Sequence, residues 1–167
     1  MEKLKVVPRA HGNTRGKKVY QQIINAAFNV LIDYGLDAVT LVRVAEECDM
    51  KAGNLNYYFA TKDDLINDLI RAIVNTCEDL TDGIRNNVNL SPEDQLEAYI
   101  NLIFEDMQDK ETAHIFPELW AAANYSDFFK SRLNEIYDGS YQYLISLVKK
   151  INPALSRDER EAVALFI

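Results

Sequence analysis

Asn54 and Asn56 each carry an acceptor and two donors side by side, in the run Lys51-Ala52-Gly53-Asn54-Leu55-Asn56-Tyr57-Tyr58-Phe59. That chemistry can read an adenine edge or hold a phosphate. Ala52 and Gly53 are small enough to let a backbone approach a partner closely, and Lys51 and Lys62 bracket the run with positive charge. Leu55 and Phe59, four residues apart, share one helix face and read as its buried anchor. A second candidate is Glu111-Thr112-Ala113-His114, the Glu-x-x-His element of helical di-metal sites. Such a site needs two copies and two further carboxylates, and the one other histidine, His11, lies near the N-terminus. A di-metal enzyme is therefore not expected, and His114 reads as a pocket or helix-start residue. Cys48 and Cys77 show no CxxC spacing and sit at helix-core positions, so they read as small reduced hydrophobes. No Gly-rich phosphate loop, nucleophile elbow or Cys–His pair is present. The sequence therefore points to no catalytic residue, no metal and no cofactor.

Charge separates the chain into two parts. Residues 1–62 hold nine Lys/Arg against six Asp/Glu, and residues 63–167 hold nine against twenty, within a net charge of −8. Lys3, Lys5, Arg9, Arg15, Lys17 and Lys18 crowd the beginning, opposed by Glu2. A basic first third on an acidic body is the asymmetry of a protein that meets phosphates with one end. Nearly half the residues are apolar, 48%, enough for a substantial core. There is no charged-then-apolar leader, and no apolar run approaches the ~20 residues of a membrane span. A cytoplasmic protein is expected.

Positioning falls to helices. Residues 1–16 lack periodicity and read as a flexible basic arm. From Lys17, Tyr20, Ile23, Ile24, Ala27, Phe28 and Leu31 form one apolar stripe, which Gly35 ends with a left-handed cap. Thr40 can cap a short helix with Leu41, Val44, Ala45 and Cys48 on one face. Asp49-Met50 reads as a turn into a second short helix from about Lys51 to Tyr57. Thr61-Lys62-Asp63-Asp64 starts a longer helix to about Asp82, and Gly83–Leu90 reads as a loop. Ser91-Pro92 opens another helix. A long one follows from about Asp127 to Lys150, and Ser156-Arg157-Asp158-Glu159 caps a last one, which Ile167 interrupts. No strand pattern is found, so the fold class is all-α.

The composite Ala38-Val39-Thr40-Leu41-Val42-Arg43-Val44-Ala45, then Gly53-Asn54-Leu55-Asn56-Tyr57-Tyr58-Phe59, then Lys62-Asp63-Asp64-Leu65 resembles the DNA-binding signature of the tetracycline-repressor (TetR) family over roughly residues 17–70. The resemblance implies a three-helix helix-turn-helix domain at 17–62 and a helical bundle for ligand binding and dimerisation at 63–167. It implies that Thr40 and Arg43 contact phosphates, that Lys51, Ala52, Gly53, Asn54, Asn56 and Tyr57 face the major groove, and that Tyr58 and Lys62 grip the DNA backbone. Three positions depart from the family pattern. Asp49 replaces the usual turn glycine, Lys51 the usual Ser or Thr cap, and Asn56 the frequent tyrosine. With Lys51 unable to cap, Asp49 is expected to satisfy the amides of the recognition helix.

The resemblance also implies a small-molecule pocket among the aromatics of the second part, with Ile103, Met107, Phe116, Trp120, Tyr137 and Tyr141 as its walls. The surrounding acidity favours a lipophilic cation, while an acyl or neutral aromatic ligand stays open. Its partners would be a pseudo-palindromic double-stranded operator, a small-molecule effector and a second copy of the chain, with no membrane. The final dimerisation helix of the family is not found, so the chain is expected to be truncated at its C-terminus or unusually short. The expected function is a ligand-released repressor. The alternative is a helical ligand-binding or interaction module whose DNA reader is vestigial.

Overall fold

The computed structural model describes residues 4–7 and 14–167. Among these residues the fold is all-helical, without strands: α1 (Thr14–Tyr34), a 3-10 turn (Leu36–Ala38), α2 (Leu41–Glu47), α3 (Ala52–Tyr58), α4 (Lys62–Arg85), α5 (Pro92–Gln108), α6 (Lys110–Ala123), α7 (Asp127–Ile151) and α8 (Arg157–Phe166). Most start where a short polar side chain replaces the missing acceptor for the first amides. Thr40 accepts from the Arg43 amide at 3.2 Å, and Asp109 accepts from Glu111 and Thr112 at 2.9 and 3.2 Å. Thr61 with Asp64, and Ser156 with Glu159, form full capping boxes, so the shorter aspartate reaches back as a glutamate would.

The expected stripe of α1 is buried, but the helix begins at Thr14, ahead of Lys17. The expected flexible arm is corrected where it is described. Leu4 is buried and Val6 packs on the core, the Lys5 amide donates to Thr76 Oγ1 at 2.8 Å, and the Lys5 ammonium pairs with Asp79. Apolar side chains at alternate positions give this segment a face to bury against α1 and α4. Lys3, Arg9 and His11 lie outside the described residues.

Two turns depend on unusual backbone. Gly35 stops α1 with φ 82° and ψ 172°, a region open essentially to glycine alone, rather than the left-handed helical cap expected. Asp49 has φ 54° and closes α2 in a Schellman arrangement, its amide bonding to the Glu46 carbonyl at 3.0 Å and the Met50 amide to that of Ala45 at 2.8 Å. An aspartate can therefore fill the usual glycine position at modest cost.

The expected division at residues 62 and 63 is not a division of the core. One cluster holds Ile23, Ile24, Val44, Leu55 and Phe59 together with Leu65, Leu69, Ile73, Ile115, Leu119 and Leu133. The α4 helix is common to both parts: its first half is core for α1 and α3, and its second half faces α5, α6 and α7. A smaller cluster around Tyr99, Leu144 and Ala164 ties α5, α7 and α8. Helix α4 runs to Arg85, beyond the expected Asp82, and Arg85 reaches the Gly139 carbonyl and the Tyr143 ring of α7. No helix among the described residues is long and apolar enough to cross a membrane.

Candidate DNA-reading face and ligand cavity

Burial of Leu55 and Phe59 fixes which side of α3 looks outward. Both have no exposed surface, and Phe59 stacks on Tyr20 of α1 with centroids 5.5 Å apart. The Tyr20 hydroxyl in turn donates to buried Asp68 of α4 at 2.6 Å, and Arg71 pairs with the same carboxylate at 3.3 Å. Helices α1, α3 and α4 are thus joined through one aromatic stack and one buried hydrogen bond to a carboxylate. The opposite face of α3 presents Lys51, Ala52, Gly53, Asn54, Asn56 and Tyr57, all exposed, with Tyr57 at 86%. A side chain added at Gly53 would meet nothing within 4 Å, so this surface is open to a partner.

The flanking residues are partly engaged within the protein. The Thr40 hydroxyl oxygen serves as the α2 cap. Arg43 is exposed, with its guanidinium 3.8 Å from the centre of the Tyr34 ring. Tyr58 is half-buried against the core and meets Tyr57 edge-on at 5.3 Å. The Lys62 ammonium donates to the Asp37 carbonyl at 3.2 Å and keeps two further donors. The expectation that Asp49 caps α3 fails: among the described residues no side chain caps this helix, and Asp49 is committed by its backbone to closing α2.

Between α4, α5, α6 and α7 lies a cavity of about 500 Å³. Of the expected walls, Ile103, Met107, Phe116, Trp120 and Tyr137 line it. Tyr141 does not. It packs in the α5–α7–α8 cluster and its hydroxyl donates to the Glu161 carbonyl at 3.3 Å, since one turn below Tyr137 the neighbour of α7 is α8. Trp120 donates to the Tyr137 hydroxyl at 2.7 Å across the wall. Sequence reasoning missed the α4 wall, where Val74, Cys77, Glu78, Thr81 and Arg85 recur at helical spacing. That mixed stripe was the available signal. His114 is exposed outside the cavity, its Nδ1 2.6 Å from the Lys110 carbonyl.

The cavity is mostly apolar, but its ionisable groups are predominantly acidic: Glu78, Asp106 and Glu135 against Arg85. Burial pushes the Asp106 carboxyl above its ordinary range, aided by the nearby Asp109 charge and opposed by a hydrogen bond from Thr112. Burial and then the Asp106 charge push the Cys77 thiol up to about 11. Arg85 lies 4.8 Å from the Tyr143 ring centre and donates to the Gly139 carbonyl at 3.3 Å.

The fold is thus a helix-turn-helix unit with an open face on α3, joined by one long helix to a cavity-bearing bundle. Residues 23–69 match the model of bacterial regulatory proteins of the tetR family. The chain is similar to the HTH-type transcriptional regulator BetI of Stenotrophomonas maltophilia, 29% identical over 104 residues, covering 62% of this chain and 53% of that protein. It is also similar to BetI of Vibrio campbellii, 25% identical over 150 residues, covering 86% and 71%. The chain spans about half the length of most of these curated relatives. Among solved structures, a TetR transcription regulator from Haloarcula marismortui has a TM-score of 0.77 at 20% identity, covering 90% of this chain and 80% of that one. A transcriptional regulator from Saccharomonospora viridis, solved in complex with choline, has a TM-score of 0.77 at 16% identity, covering 90% and 79%. The tetR-family match is confined to residues 23–69, and the proteins this chain is similar to are transcriptional regulators rather than enzymes.

Proposed function

We propose that this chain is a transcriptional repressor that binds a pseudo-palindromic operator as a homodimer and leaves it when an organic cation fills the cavity. The observation that carries this reading is the open face of α3, small at Ala52 and Gly53, amide-bearing at Asn54 and Asn56, and flanked by Arg43, Lys51 and Lys62. A recognition helix of that composition can enter the major groove and bond base edges from its polar side. Thr40, Arg43, Tyr58 and Lys62 then lie on the flanks, where a duplex would bring its phosphates.

Two copies are needed to read two half-sites about 34 Å apart. The apolar end of α8 is suited to that contact, with Leu165, Phe166 and Ile167 uncovered. The acidic, aromatic cavity favours a cation, held by Trp120, Phe116 and Tyr99 rings and by the Asp106, Glu78 and Glu135 carboxylates. The cavity volume leaves room for an apolar body behind the charged head. The Saccharomonospora neighbour solved with choline supports the same ligand class.

The test is selection of genomic DNA fragments by the purified protein, followed by titration of a selected fragment at several salt concentrations. A repressor using several phosphate contacts loses affinity steeply as salt rises, with a slope near −0.9 per contact. Addition of benzyltrimethylammonium is expected to release the fragment. Failure to bind any DNA at low salt would sink the reading.

A further inference from the structure

The 3-10 turn Leu36–Ala38 stands between α1 and the Thr40 cap of α2, and two side chains from cavity helices converge on it. From α6, the Glu118 carboxylate accepts from the Leu36 amide at 3.1 Å. From α4, Lys62 donates to the Asp37 carbonyl at 3.2 Å. The turn has no cap from its own sequence, since Gly35 precedes it and has no side chain. Glu118 supplies that cap from 82 residues away. A Cβ at Gly35 would stand in ordinary contact, 3.4 Å from a Glu118 oxygen, so the glycine is required by its φ of 82° rather than by space.

The residues around Glu118 on α6 face the cavity: Phe116, Pro117 and Trp120 are among its walls. Pro117 lies inside the helix, so the Ala113 carbonyl loses its usual helical donor and α6 is locally easier to bend. A ligand pressing on this wall therefore acts beside Glu118 at the weakest point of the helix. We propose that Glu118 is a positioning residue that transmits the state of the cavity to the DNA-reading unit by holding the amide end of the Leu36–Ala38 turn. This rests on the reading of the cavity as the effector site. The hydrogen bond keeps the turn, the Thr40 cap and α2 in register with α6. When the α6 wall moves, the carboxylate moves with it and the turn follows or is released.

The experiment uses hydrogen exchange of backbone amides in the full chain, with Ile103→Trp filling the cavity from its α5 wall in place of a ligand. In the otherwise wild-type protein, Ile103→Trp is expected to alter exchange at Leu36 and along α2. In Glu118→Ala the Leu36 amide exchanges about tenfold faster at the outset, as loss of a charge-assisted bond implies, and adding Ile103→Trp changes α2 no further. Glu118→Gln, which keeps an acceptor oxygen, restores the response. A merely structural cap would alter the starting rates but leave the Ile103→Trp effect intact. An equal Ile103→Trp effect in Glu118→Ala, or none in the wild type, overturns the proposal. The effector reading is checked separately by titrating benzyltrimethylammonium against the fluorescence of Trp120, the one tryptophan of the chain. Silence there, with an intact and Glu118-dependent Ile103→Trp effect, removes the cation and supports the strut.

Discussion

Asn54 and Lys62 differ in what surrounds them, and that difference sets what each substitution should do. Asn54 is exposed on the open face of α3, while Lys62 sits half-buried at its edge and already bonds Asp37. Asn54→Ala is expected to change which sequences are selected, with about 1–3 kcal/mol less discrimination at one base position. Lys62→Ala should weaken all fragments alike and lower the salt slope by about one contact. Binding-site selection with both variants distinguishes these outcomes, and an unchanged preference in Asn54→Ala would reassign it to the backbone. The two cysteines offer a second reading at this scale. Burial, with the neighbouring Glu47 and Asp106 charges, raises the Cys48 and Cys77 thiols to about 11, so both should alkylate slowly at neutral pH. Cys77 lines the cavity and Cys48 does not. A bound cation is therefore expected to slow maleimide labelling of Cys77 alone, as mass spectrometry of the labelled peptides would reveal.

At the scale of elements, the local code was legible where a stripe and a cap coincide. Tyr20 to Leu31 marked α1, Thr61 to Asp64 marked the start of α4, and Ser156 to Glu159 marked α8. The signals failed where tertiary contacts decide. Leu4–Val7 has too few residues for a periodic pattern, yet buries Leu4. Helix α4 persists through a stretch that composition assigned to a loop. Tyr141 shares a periodic face with Tyr137 but meets a different neighbour, and the Glu118 bond to Leu36 spans a distance no local pattern carries. Asp49 supplies a prediction here. It is exposed and sits at positive φ, so Asp49→Gly removes a steric cost while losing no buried contact. Stability is expected to rise by about 1 kcal/mol, less the added freedom of glycine in the unfolded chain, and thermal unfolding would register it. A fall in Tm would mean that the Asp49 carboxylate contributes more than its backbone costs.

The whole molecule places an acidic, half-enclosed cavity inside a body that is itself acidic. Asp106 holds its proton more readily than an ordinary aspartate because burial disfavours the charge. Ionised Asp106 therefore opposes folding at neutral pH, and this cost is relieved as pH falls through its raised pKa. Cation affinity should move the opposite way. It is full while Asp106 is ionised and declines on acidification before ordinary surface carboxylates titrate. Calorimetric titration of benzyltrimethylammonium across the acidic range would register the decline, and Asp106→Asn should bind weakly with no such step. An identical pH profile in that variant would remove Asp106 from the cation's partners.

Helix α4 contains 24 residues, and at 1.5 Å per residue it is a rod about 36 Å long. Its far half borders the cavity and its near end carries Lys62 beside the reader. For a rod of that length, a tilt of about 5° about the cavity end swings the near end through about 3 Å. That is close to the spacing of about 3.4 Å between successive nucleotides along a strand. If α3 reads DNA as proposed, a tilt of about 5° in α4 is therefore already a full letter of misregister at the groove.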